Sequence, residues 1–237
     1  MKTLPLRTIP FLLAATAICG LAQAERPLAT DTADALPTRQ CEAELNSTLA
    51  SNKHTASARQ ADVRLSCGVL SHTEASLGLS RSRQSSRSAY GTLLSGKTAW
   101  ALGEDGKPGS TSLGLRYGAS WTQLPGEGGE LTELRLLALA SHEVTQGVVA
   151  HANLGLAHHR SGRGRSDSNS TLWSIGIERK TDLHLAADLY GDDHSKPWVS
   201  AGIGYSLGHG LSVNASLARQ LQEPRGRRFM LGLKMVF

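Results

Sequence analysis

The chain closes on a strand that fixes much of what it can become. From Phe237 backwards every second residue is apolar: Phe237, Met235, Leu233, Leu231 and Phe229 alternate with Val236, Lys234, Gly232 and Met230. A two-residue period specifies a strand with one greasy face. Ending such a strand on an exposed aromatic is difficult in water, because chain termini fray. It is expected where the greasy face meets lipid and the aromatic sits at headgroup level.

The same alternation recurs from Gln40 onward. About twelve segments carry it, near 40–51, 59–70, 73–83, 89–102, 110–123, 131–144, 147–160, 170–180, 183–191, 197–208, 210–222 and 227–237. Each is long enough to cross a bilayer tilted, which takes ~9–11 residues. The gaps alternate in length. Ser71-His72, Thr145-Gln146, Thr181-Asp182 and His209 are tight. Asn52 to Ala58, Leu124 to Glu130, Ser161 to Asn169, Asp192 to Lys196 and Glu223 to Gly226 are longer and rich in Gly, Ser, Pro or charge. Short periplasmic turns and long external loops produce that rhythm, with both termini in the periplasm. Gly103 to Gly109 breaks it, being long for a turn. The expected fold is therefore all-β: a transmembrane antiparallel β-barrel of about 12 strands. Ten strands remain open if the first hairpin stands outside the wall.

Upstream of the barrel the chain changes character. Lys2 and Arg7 precede an apolar run from Phe11 to Leu21, and Ala22-Gln23-Ala24 is a small-x-small cleavage site. This reads as a signal peptide over 1–24. The run is shorter than the ~20 residues a membrane helix needs. Residues 25–39, rich in Ala, Pro, Thr and Asp, read as a flexible periplasmic leader, and 40–237 as the barrel. Without Lys2 and Arg7 the chain holds 23 basic and 20 acidic residues. So small an excess gives no argument for nucleic acid.

The period also assigns faces. Outward candidates include Leu45, Leu49, Val63, Leu65, Leu77, Leu79, Leu154, Leu156, Ile175 and Ile177. The opposite face carries Glu44, Arg64, Lys97, Arg116, Glu133, Arg135, His151, Asn153, Glu178, His184, Asp188 and Asn214. Charges of both signs on most strands are costly in a dry core but suit a wet lumen. Leu137 and Leu139 interrupt that polar face. Trp121, Trp173 and Phe229 fall at external strand ends, and Trp100 and Phe237 at periplasmic ends, a sparse pair of aromatic girdles.

Two resemblances follow from these residues. Gly232, Met235 and Phe237 resemble the terminal assembly signal of bacterial outer-membrane barrels, from which Met230 departs because that position is usually polar. The resemblance implies recognition by the barrel assembly machinery. The segments from Asp62 through Leu79, Ser112 to Gly118, His151-Ala-Asn-Leu-Gly-Leu, and Leu172 through Leu189-Tyr-Gly to Val213 resemble the outer-membrane barrel family named for a phenol-degradation (MetA) pathway. Asp188 matches that family's acidic residue before Leu-Tyr-Gly, whereas Asn214 stands where Asp is frequent. The resemblance implies a small transporter-like barrel without a shared substrate.

Other groupings can be weighed by spacing. If the first hairpin turns near His54, Cys41 faces Cys67 directly, and opposed strand residues lie close enough to bridge. A disulfide is expected, the alternative being two free thiols in an offset register. Three arginine clusters fall in external loops: Arg81, Arg83 and Arg87; Arg160, Arg163 and Arg165; Arg225, Arg227 and Arg228. Guanidinium suits bidentate phosphate contacts, so outer-membrane lipids and lipopolysaccharide are expected partners, against the alternative of solvated loop charge. His158-His159 and Asp192-Asp193-His194 match no metal-site spacing. Ser141-His142 is a poor catalytic pair, because neighbours on a strand point to opposite faces. No catalytic residue, metal or cofactor is assigned.

The reading is a monomeric outer-membrane barrel passing small solutes through a polar lumen. The alternative is a plugged structural or surface-interaction barrel. Less favoured is a lipid-acting outer-membrane enzyme.

Overall fold

The computed structural model describes residues 28–52, 57–102, 107–160, 166–223 and 225–237. The expected signal peptide, the expected hairpin tip near His54, and Arg163 and Arg165 lie outside them. Twelve strands form: β1 Cys41–Ser51, β2 Ala58–Leu70, β3 Thr73–Gln84, β4 Arg87–Leu102, β5 Thr111–Gln123, β6 Glu130–Thr145, β7 Val148–His159, β8 Ser168–Arg179, β9 Leu183–Asp192, β10 Trp198–Gly208, β11 Leu211–Gln220 and β12 Arg227–Val236. They lie within two residues of the expected segments. Every strand pairs antiparallel with its sequence neighbours, and β12 returns to β1, so the barrel is closed. That closing ladder runs from Glu42↔Val236 to Ser51↔Arg227. The first hairpin is therefore part of the wall, and the strand count is twelve.

The alternation sorts the two faces. Leu45, Leu77, Leu79, Leu154, Leu156, Ile175, Ile177, Leu231 and Met235 are exposed on the outside, Leu154 and Leu156 to 61%. Such an apolar belt is what barrels present to acyl chains. The intervening residues face inward and are buried or half-buried.

One end of the barrel carries most of the tight reversals, hereafter the turn end; the other, the loop end, carries the longer connections and the two-residue β3–β4 turn, where Ser85 has φ 54°. His72 and His209 adopt left-handed backbone at the turn end (φ 62° and 52°), as does Gly147 (φ 74°). Positive φ matches a short hairpin turn to the twist of its strands. The long β4–β5 connection lies at this end too. Its last residues continue the ladder towards β6, with Gly109 N–H donating to the Glu143 carbonyl at 2.7 Å and Glu143 N–H to that of Ser110 at 3.0 Å.

Cys41 and Cys67 are paired in the β1–β2 register and joined by a disulfide, their Cα atoms 4.1 Å apart. Cys41 also exchanges two backbone hydrogen bonds with Phe237, both 2.8 Å.

The expected flexible leader requires correction. Its described part enters from the turn end, where Thr38 bridges Gly68, and runs into the lumen. Leu28, Thr30, Asp31, Thr32 and Ala33 are buried. Low apolar content predicted disorder in water, but inside a polar lumen the partners that order this segment are wall side chains.

Candidate functional site

The candidate site is the lumen, where strands on opposite sides converge on residues 28–36. The first cluster comes from β3, β4 and β5. Each strand places its charge inward by strict alternation: Glu74, Lys97 and Arg116. Arg116 Nη1 contacts the Asp31 carboxylate. Lys97 Nζ lies 3.8 Å from Asp31 and 3.5 Å from Glu74. Leu36 N–H donates to Glu74 at 3.1 Å. All four charged side chains are at most 4% exposed. Charges this buried persist only when paired.

The second cluster lies on β9 and β10. Asp188 Oδ2 accepts the backbone N–H groups of Ala29 at 2.5 Å and Thr30 at 2.9 Å, while Ser200 donates to its other oxygen. Anionic acceptors make the stronger hydrogen bonds. Arg116 and Lys97 on one side of the wall and Asp188 on the other thus hold the segment between them.

The third cluster is a row on β6, β7, β8 and β9. Ala33 N–H donates to Ser141 Oγ at 2.9 Å. Ser141 Oγ meets His151 Nδ1 at 2.8 Å, His151 Nε2 lies 3.3 Å from Glu178 Oε1, and His184 Nε2 lies 2.8 Å from Glu178 Oε2. Lys180 Nζ reaches Glu178 at 3.3 Å. A serine, an imidazole and a carboxylate in sequence resemble a nucleophile relay. Here the serine oxygen already accepts a backbone N–H, and only 4% of the residue is exposed. The row's present role is to hold residue 33. Spacing alone missed it, because Ser141 and His151 pair across β6–β7 rather than along one strand.

Between these clusters the segment makes apolar contact. Ala33, Leu137 and Leu139 form a buried cluster with Leu172 against it. The two leucines that interrupt the polar face are therefore the packing surface for residue 33. Gly114 and Gly176 make room beside it. A Cβ on Gly114 would lie 3.0 Å from the Ala33 carbonyl oxygen, and one on Gly176 3.1 Å from Thr30 Oγ1.

Farther from the turn end, a cavity of about 60 Å3 is bounded by Ala29, Asp31, Arg135, Asn153, Ser174 and Tyr190, among others. It holds a few waters at most. Arg135 pairs with Glu133 at 2.7 Å. Tyr190 stacks on Trp198 with centroids 6.5 Å apart, and Arg228 lies 4.2 Å over the Trp198 ring. Arg228, expected in an external cluster, faces inward; β12 alternation separates it from Arg227. Glu44 and Arg64 are direct cross-strand partners, and Gly232 sits in register between Asn46 and Asn214. Met230 is buried inside the barrel. Ser141 and His142 do face opposite ways: His142 bonds Thr111 at 2.9 Å on an exposed surface.

These features define a class: a closed twelve-stranded antiparallel barrel with a segment of its own chain inside. No family model and no curated protein matches the chain. Solved barrels match its fold. An outer membrane channel from Pseudomonas putida F1 aligns with a TM-score of 0.70 and 13% identity, over 86% of this chain and 98% of that one. KdgM porin, solved in complex with disordered oligogalacturonate, gives 0.62 and 9%, over 83% and 99%. Outer membrane phospholipase A from Escherichia coli gives 0.50 and 10%, over 82% and 92%. A fold shared by channels and an enzyme leaves function to the site.

Proposed function

We propose that this protein is an outer-membrane barrel that passes small polar solutes through its lumen, held closed here by residues 28–38. The turn end is then the periplasmic side, and the apolar belt meets lipid. The observation carrying the reading is the way the segment is held. Its contacts are mainly hydrogen bonds and ion pairs to wall residues, with one small apolar cluster. Polar partners on both sides can be exchanged for water at modest net cost, unlike a greasy plug. If the segment withdraws, Lys97, Arg116, Glu178 and Asp188 line a wet path. The resemblance to the phenol-degradation family supports a transporter-like role; the solute class stays at small and polar.

Planar-bilayer recording tests this. The refolded barrel with Asp31→Asn and Asp188→Asn together should show more frequent or larger conductance steps than the unaltered protein. Silence of both, with folding intact, would favour the permanently plugged barrel instead. The Ser141–His151–Glu178 row makes one enzymatic reading checkable in the same preparation. Phospholipid hydrolysis abolished by Ser141→Ala would replace the channel proposal with a hydrolase.

A further inference from the structure

The loop end carries a second organised set of charges, on the outside of the barrel. Arg59 on β2 and Arg83 on β3 are direct cross-strand partners. Arg219 on β11 and Arg227 on β12 are another such pair. All four are exposed. They continue the outward faces that carry Leu79, Leu217 and Phe229 nearer the middle of the barrel. Arg81, two residues from Arg83, lies 5.7 Å from the centroid of the exposed Tyr90 ring. Among the described residues, none of these five guanidinium groups forms an ion pair with a carboxylate.

Like charges directly opposed across a ladder destabilise it. Two such pairs occur at one end of the wall, on β11–β12 and β2–β3, separated only by β1. An anion that relieves both repulsions explains the arrangement. Guanidinium pairs suit phosphate oxygens, which they bind in bidentate fashion. The position, where apolar belt gives way to charge, is headgroup level. Three strand spacings and a two-residue offset along β1, where Arg59 faces Leu49 and Arg227 faces Ser51, separate the backbone centres of the two pairs by roughly 16 Å, which is beyond one phosphate.

We propose that this rim binds a bisphosphorylated glycolipid of the outer leaflet, of the lipid A type. One phosphate sits on Arg59 and Arg83 and the other on Arg219 and Arg227. Arg81 and Tyr90 flank the first. The proposal rests on the outer-membrane reading of the barrel but not on its conducting solutes.

Native mass spectrometry of the refolded barrel (residues 25–237) in detergent tests it, with bisphosphoryl lipid A, monophosphoryl lipid A and phosphatidylglycerol as probes. The unaltered barrel should retain bisphosphoryl lipid A one to one, about tenfold more tightly than the monophosphoryl form, with phosphatidylglycerol weaker still. R59S/R83S and R219S/R227S should each lower retention about tenfold. Equal retention of all three lipids, or double variants that bind like the unaltered barrel, would overturn the proposal. Folding of each variant is checked by heat-modifiable gel mobility. If a variant does not fold, the three-lipid comparison decides without it. A barrel silent in planar bilayers that still selects bisphosphoryl lipid A would sink the channel and keep the lipid site. A chain that fractionates away from the outer membrane in cells would remove the shared premise.

Discussion

The lumen and the loop-end rim manage charge in opposite ways. Inside, Arg116 and Lys97 meet Asp31 and Glu74, Lys180 and His184 contact Glu178, and Asp188 is held by hydrogen bonds. Outside, Arg59 faces Arg83 and Arg219 faces Arg227. Burial accounts for the difference. An unpaired charge in the lumen is expensive, whereas water screens like charges at the rim until something else replaces the water. Internal pairing serves the fold, and external repulsion is left for a ligand to relieve.

That contrast can be broken at its strongest point first. Arg116→Met removes the direct partner of the buried Asp31 carboxylate and should destabilise the barrel by about 4 kcal/mol, read as a lower urea midpoint for loss of the heat-modifiable band. Opening the Cys41–Cys67 bridge by Cys67→Ser should come next. The bridged residues are 26 apart in sequence, and loop-closure entropy for such a loop is about 3.5 kcal/mol. Leu139→Ala, which strips the apolar seat of Ala33, should cost about 2 kcal/mol and raise bilayer conductance. At the rim the sign should reverse. Arg83→Ser relieves repulsion and should stabilise the lipid-free barrel in zwitterionic detergent by ~0.5 kcal/mol, measured in the same titration. The smallest effect concerns exposed His194. The Asn169 carbonyl, then Asp193, raise its pKa above the usual value. Its imidazole NMR shifts should titrate later than those of a free histidine as pH rises.

The fold was legible because a two-residue period, repeated twelve times, admits few closed solutions. Wall faces and the Cys41–Cys67 pairing followed from register alone. The same register arithmetic, applied to the Gln146-Gly147 turn, opposes Ser141 to Ala152; an irregularity between Glu143 and Thr145 shifts the ladder by one residue and brings His151 opposite instead. That irregularity has no signature in the alternation, so the row was hidden. Residues 28–36 were not legible. Their order depends on Asp188, Glu74 and Ser141, which lie far along the sequence, and no local composition encodes such partners. Arg228 was misread for a simpler reason. A cluster of consecutive arginines looks uniform in sequence, yet alternation sends its members to different sides of the wall.

Cys41 has a mechanical consequence. It joins the inner segment to the first strand, is stapled to the second strand, and holds the last residue of the chain by two hydrogen bonds. Any pull on residues 28–38 is therefore loaded onto a covalent corner of the wall before it reaches the ladders. Drawing the segment out should leave the cylinder's shape unchanged, as a leash tied to a post moves without the post.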